Sequence, residues 1–214
     1  MIITIDGPAG AGKSTVAREL ARRLGFRFLD TGAMYRAVAL AALRQGLDWD
    51  EPDDLAQLAR KLDIRTLGER ILLDGEDVTE AVRTSEVTAV TRYAAGNARV
   101  REFLVELHRK LAGNDDVVSE GRDQGTVAFP RAARKIFLTA SPAERARRRV
   151  LDLQSQGEPV TLKQVLAAQE RRDREDATRT VGPLAPAADA VTVYTDGLSL
   201  DQVVAKLESL IPHP

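Results

Sequence analysis

The sequence predicts an α/β fold, a parallel β-sheet flanked by helices, and three observations carry that prediction. Residues 7–14, GPAGAGKS, match the phosphate-loop pattern G-x-x-x-x-G-K-[ST] at every position. The turn lies between an apolar, β-branched run containing Ile2, Ile3 and Ile5 and the stretch STVARELARRL, which puts Val16, Leu20 and Leu24 on one helical face. Beyond it, short β-like runs alternate with helical ones, which implies parallel strands joined by right-handed crossovers. Strand, glycine-rich loop and helix in that order make the chain a P-loop NTPase-type protein.

The elements follow in order. Phe26 to Leu29 reads as a short strand, Asp30 to Gly32 as a turn with Thr31 as helix cap, and an alanine-rich helix runs to about Leu43. Asp53 to Leu62 is a further helix. The pattern then changes: IRTLGERILLDGEDVT holds β-like runs parted by Leu67-Gly68-Glu69 and Asp74-Gly75, which read as hairpin turns of a small β-rich insert. Helical periodicity returns from Ser85 to Leu111 with a break at Gly96-Asn97, followed by a strand at Val117 to Ser119 and then EGRDQGTV. Lys135 to Thr139 is a strand, and Ser141 with Pro142 caps the helix ERARRRVLDLQ. A helix from Thr161 to about Thr180 stops at Gly182-Pro183; Ala190 to Tyr194 is the last strand and Ser199 to Leu210 the last helix. Leu198, Val203, Val204, Leu207 and Leu210 make an apolar stripe read as core, His108 is read as a helix-surface residue, His213 as part of a frayed tail, and Trp49 sits in a loop with no assigned role.

Composition narrows the function classes. At 214 residues and 43% hydrophobic, the chain can build one α/β core with a small appended lobe. A net charge of −1 offers no general field for nucleic acid or an anionic membrane, so neither is expected as a partner. Cysteine is absent, which removes disulfides and thiolate metal sites, and two histidines do not suffice for a histidine cluster. No run of 18 apolar residues occurs and the first strand begins at Ile2, so the expectation is a soluble, cytoplasmic protein, and a monomer is expected as well.

The chemistry starts at the loop. Gly7, Pro8, Ala9, Gly10, Ala11, Gly12, Lys13, Ser14 and Thr15 form an anion cradle in which backbone N–H groups surround phosphates. Lys13 reaches the terminal phosphates and the Ser14 hydroxyl ligates Mg²⁺, so ATP and Mg²⁺ are the expected cofactors. A P-loop alone fits a GTPase, an ATPase motor or a small-molecule kinase. No N-K-x-D guanine reader is present, and the second strand ends in Glu120-Gly121-Arg122-Asp123, which mixes both signs of charge instead of the paired acids of a motor. Three arginine clusters add a second anion site: Tyr35 and Arg36 about a turn after Thr31; Arg145, Arg148 and Arg149 on one face; and Arg172 and Arg179 flanking Asp176 at i, i+4 and i+7. In a near-neutral chain, such gathering of positive charge points to a site carrying several phosphates. The acceptor stays open at this level between a nucleotide monophosphate and a small hydroxylated metabolite, and a regulatory protein that binds ATP without transfer remains the alternative class.

The motifs GPAGAGKST, DTGAMYR, EGRDQGTV, KIFLTASPAERARRR, RDREDATR and VGPLAPAADA resemble, in order and spacing, those of bacterial cytidylate kinases over nearly the whole chain. The insert between about Ile64 and Arg83 is similar to the extension that sets this family apart from other nucleoside monophosphate kinases. The resemblance implies a core of about residues 1–31, 84–141 and 180–214, a monophosphate-binding lobe of about 32–83 and an arginine-rich lid of about 142–179. It implies transfer of the γ-phosphoryl of ATP to CMP or dCMP, in pyrimidine nucleotide metabolism. Thr31, Tyr35 and Arg36 would then face the monophosphate, and Arg101, Arg122 and Asp123 its phosphate or cytosine. Arg172, Asp176 and Arg179 would hold phosphate and sugar, and Arg145 to Arg149 would form a mobile lid over ATP. Lys13, Arg122, Arg145, Arg149 and Arg172 would offset the charge of transfer. Cytosine shows two acceptors beside an amino donor, so Arg101 with Asp123 suits it, while uracil reverses the pattern at two positions. Where the family commonly has a serine, this chain has Arg92 with Thr91 beside it, which suggests looser discrimination against UMP.

Overall fold

The N-terminal β-branched run forms β1 (Ile2–Asp6), the middle strand of a five-stranded parallel sheet, in a computed structural model that describes residues 1–155 and 157–211. Sheet order is β2-β6-β1-β7-β8, with β2 at Arg27–Asp30, β6 at Val117–Gly121, β7 at Arg134–Thr139 and β8 at Val191–Tyr194. Ile3, Ile5, Val118 and Leu138 are fully buried, as expected of strands covered on both faces. Register then fixes the site: Asp6 stands opposite Gly121 on β6 and Phe137 on β7, and Asp30 of β2 opposite Glu120. The carboxyl ends of β1, β2 and β6 therefore finish level, where open α/β sheets bind ligands.

One side of the sheet is covered by α1 (Lys13–Leu24) and α8 (Leu200–Glu208), whose Val16, Leu20, Val203, Val204 and Leu207 pack on Ile3, Ile5, Val118 and Leu138. The stripe read as core is core. Truncating the fully buried Leu20 to alanine would cost about 2–5 kcal/mol. The other side carries α2 (Thr31–Arg44), α3 (Pro52–Lys61), α4 (Ser85–Gly96) and α5 (Ala98–Ala112), which share one apolar cluster with the insert. The insert is a three-stranded antiparallel sheet, β3 (Ile64–Leu67), β4 (Arg70–Leu73) and β5 (Glu76–Asp77). Its second turn has Asp74 and Gly75 both at positive φ, 51° and 86°, the geometry a two-residue hairpin loop demands. The remaining helices, α6 (Pro142–Ser155) and α7 (Leu162–Thr178), meet through a small cluster of Ala146, Leu153 and Val165.

Four local expectations need correction. Asp30, not Thr31, caps α2: its carboxylate accepts from Ala33 N at 2.9 Å, while the Thr31 hydroxyl donates to Glu120 O at 2.7 Å and ties the helix to β6. The strand β2 runs from Arg27 to Asp30 rather than from Phe26. His108 is not on the surface; it is fully buried on α5, edge-on to the Tyr35 ring at 6.1 Å, because α5 packs among α2, α3, α4 and the turn Gln124–Ala128. Trp49 does have a partner, stacking on Tyr93 of α4 at 4.9 Å. His213 lies outside the described residues. No described helix is long and apolar enough to cross a membrane.

Candidate active site

The level strand ends open into a cavity of about 490 Å³. One wall is the phosphate loop. Gly7 is at φ 149° and a Cβ there would collide with the Leu138 carbonyl of β7, so only glycine lets the loop leave β1 this close to the sheet. Lys13 follows at the start of α1, buried, its Nζ donating to Pro8 O at 2.9 Å. Burial, reinforced by the Arg122 guanidinium, holds the Lys13 amine well below the usual lysine range. A bound polyphosphate would reverse that balance.

Beside Lys13, the Ser14 hydroxyl donates to Glu120 Oε1 at 3.0 Å, and Glu120 Oε2 is buried without a partner. Burial pushes the Glu120 carboxyl up, against the pull of Lys13. A hydroxyl and a buried carboxylate oxygen with nothing to bind suit a hard divalent cation that keeps water and phosphate oxygens as its other ligands. No group of three or more His, Cys, Asp or Glu side chains that could hold a metal occurs among the described residues.

The opposite wall carries positive charge. Arg36 of α2 stands 3.7 Å from Asp30, with Nε buried and unpartnered. Arg122, in the loop after β6, donates through Nε to Asp176 Oδ2 of α7 at 2.9 Å, and Arg179 lies 3.4 Å from Asp176 Oδ1. Burial of Asp176 works against ionisation, but Arg122 and Arg179 outweigh it and hold the carboxyl below its ordinary value. Arg172 lines the same cavity, and burial, with Arg122 next in importance, brings its guanidinium down to about 10. Arg179 Nε and Nη2 have no hydrogen-bond partner.

At the far end Arg101 of α5 and Asp123 form a buried ion pair. Arg101 also donates to Ala95 O at 3.1 Å and lies over the Tyr35 ring, 5.4 Å from its centre. The Tyr35 hydroxyl is unpartnered, and burial pushes it up to about 12. Gly182, at φ 59°, presses on this pair; a Cβ there would strike both the Arg101 guanidinium and the Asp123 carboxylate. Thr91 lines the cavity here, whereas Arg92 turns outward over the Tyr93 ring at 4.9 Å. Thr91, rather than Arg92, is therefore the residue of this pair that faces the cavity, its hydroxyl donating to Val87 O at 2.7 Å within α4.

Of the residues singled out from the sequence, the cavity brings together Ala9, Gly10, Gly12, Lys13, Ser14, Thr15, Thr31, Tyr35, Arg36, Arg101, Glu120, Arg122, Asp123, Arg148, Arg149, Arg172, Asp176 and Arg179. Gly7 and Pro8 shape the loop from behind. Arg145 does not line the cavity: its guanidinium donates to Ala140 O and Ala9 O, both at 3.0 Å, and pairs with Asp173 at 2.7 Å. Arg148 also binds Thr195 twice at 2.9 Å, so the first turns of α6 are fastened to the phosphate loop and β8. A second recess of about 290 Å³ opens on the other side of Gly12, lined by Ala11, Thr15, Arg148, Thr195 and Leu198. Sequence reasoning missed Gly182, Thr195 and Leu198. Gly182 stood in the helix-ending Gly-Pro, but nothing in that signal says what the glycine touches.

A phosphate loop facing a cationic wall across one cavity at the carboxyl edge of a parallel sheet defines a small P-loop kinase. A shikimate kinase from Bacteroides thetaiotaomicron shares the fold, with a TM-score of 0.52 at 14% identity, over 98% of this chain and 97% of that one. The sequence model of the cytidylate kinase family matches residues 3–213. A cytidylate kinase of Rhodopirellula baltica is 50% identical over 211 residues, spanning 99% of this chain and 92% of that protein. Another, from Pelotomaculum thermopropionicum, is 51% identical over 207 residues, 94% of this chain and 92% of the other. The chain belongs to the cytidylate kinase family.

Proposed function

We propose that this protein transfers the γ-phosphoryl group of ATP to CMP or dCMP, giving ADP and CDP or dCDP. One observation carries the reading: Arg36 Nε, Arg179 Nε and the Tyr35 hydroxyl are buried donors without hydrogen-bond partners, in a cavity that begins at Lys13. Buried donors left unmade are costly, and a phosphate monoester would satisfy them together.

The residues then divide the work. Lys13 and the loop N–H groups hold the donor's terminal phosphates, while Arg36, Arg122, Arg172 and Arg179 hold the acceptor phosphate. The recess beyond Gly12, walled by Arg148 and Leu198, would take the donor base. An acceptor phosphate already carries a charged oxygen at pH 7, so no side chain need remove a proton, and the cavity offers no histidine for that task. Catalysis rests on bringing two anions in line and offsetting their repulsion. Ser14 and Glu120 are the residues that would hold Mg²⁺, which when bound neutralises charge on the phosphate oxygens. Arg101 donors, the Asp123 carboxylate and the Thr91 hydroxyl suit the acceptors and amino group of cytosine. Asp176, which Arg122 and Arg179 hold ionised, would accept from ribose hydroxyls. Because α6 is pinned at its first turns, closure over the donor would come from the outer ends of α6 and α7 and from Arg149.

Phosphorus NMR of a reaction mixture with ATP, Mg²⁺ and CMP tests the reading. Equimolar ADP and CDP is the expected result, lost in Lys13→Ala. ADP with inorganic phosphate and no CDP would make the protein an ATPase and overturn it.

A further inference from the structure

Asp6, the last residue of β1, is buried and does not line the cavity. Its two carboxylate oxygens each accept one backbone N–H, Oδ1 from Gln124 and Oδ2 from Gly125, both at 2.8 Å. Those N–H groups open a single π-helical turn, Gln124–Ala128, whose own bonds run back to the Asp123 carbonyl from Val127 N at 2.8 Å and Ala128 N at 3.3 Å. The Asp123–Gln124 peptide is therefore held from both ends. Ser119 of β6 adds a third restraint, donating to Gln124 Oε1 at 3.0 Å. The peptide so fixed joins the turn to Arg122 and Asp123, which meet Asp176 and Arg101 across the cavity. One residue beyond Asp6 the phosphate loop begins, so one carboxylate links the loop that holds the donor to the loop that holds the acceptor.

Free N–H groups at such a turn would be met by water on a surface, and by a neutral hydroxyl or carbonyl at less cost than a buried carboxylate. Burial pushes the Asp6 carboxyl up to about 6, although the two N–H groups pull it down, so a carboxylate at this point carries a penalty that simple capping does not require.

We infer that Asp6 is a positioning residue for acceptor recognition, which sets Arg122 and Asp123 in place through the backbone of Gln124 and Gly125. The inference rests on the kinase reading above. In Asp6→Asn the amide keeps one acceptor and turns an N–H against the other backbone N–H, so the loop shifts while the volume is kept.

The test is steady-state kinetics of Asp6→Asn with CMP and ATP, together with amide hydrogen exchange of the wild-type protein. The expected variant shows KM for CMP raised about ten- to a hundredfold, KM for ATP changed less than about threefold, and kcat reduced by less than KM rises. Unchanged constants, or KM for ATP rising and kcat falling by as much as KM for CMP rises, would overturn the inference in favour of a general structural role. Exchange decides the case if the variant does not fold: slow exchange at Gln124 and Gly125 is expected, and exchange as fast as in exposed loops would refute the restraint. A wild-type protein inactive on CMP would refute the kinase reading instead, and exchange would still judge the restraint.

Discussion

His108 makes the protein acid-sensitive by an amount that can be worked out. It is fully buried, both ring nitrogens lack a partner, and the Arg101 guanidinium lies nearby. Burial first, and that charge second, lower its pKa from 6.5 to about 3. The folded protein thus keeps a neutral imidazole where the unfolded chain takes up a proton. A depressed folded value means that this stability is present above pH 6.5 and drains away as pH falls toward 3. Linkage puts the loss at about 2 kcal/mol between pH 7.5 and 5.0, since each unit of pH below 6.5 contributes about 1.4 kcal/mol. Urea denaturation at the two pH values, with wild type and His108→Gln side by side, isolates the effect, because all other groups titrate alike in both. Wild type should lose about 2 kcal/mol more than the variant. Parallel losses in the two proteins would refute the argument, and with it the claim that His108 is buried neutral.

The free enzyme holds Lys13 depressed by burial and Arg122, so binding ATP should take up protons near pH 7.5. Calorimetry in buffers of different ionisation enthalpy reads the uptake, and identical heats would contradict it. Gly182→Ala should part Arg101 from Asp123 and raise KM for CMP by about tenfold or more with KM for ATP little changed; equal KM values for CMP would show that the loop gives way. Thr91→Ala should lower the preference for CMP over UMP by about three- to tenfold, whereas Arg92→Ser should leave it within about twofold. The reverse ranking would restore Arg92 to the site.

How much of this was legible in sequence depended on how local the signal was. The phosphate loop, its flanking strand and helix, and the hairpin at Asp74-Gly75 are set by neighbours in the chain, and the structure agrees with them almost residue for residue. The pairing of β6 between β2 and β1 is long-range, yet strand-helix alternation implied the parallel sheet. What stayed hidden is what tertiary packing decides. A histidine on α5 looks like any other until α2, α3 and α4 close over it. Arg145 and Arg149 share a helical face by spacing, but one faces Ala9 and Asp173 while the other reaches the cavity. Thr91 and Arg92 differ by one position, about 100° around α4, which is enough to exchange a place in the site for one outside it.

Initial rates of ADP formation with ATP and Mg²⁺ against CMP, dCMP, UMP, AMP and GMP, one acceptor at a time, test the central claim most directly. The account predicts kcat/KM for CMP and dCMP at least about a hundredfold above AMP and GMP, and above UMP by a smaller margin set by Arg101, Asp123 and Thr91. Equal use of a purine monophosphate, or no turnover with any of the five, would contradict it.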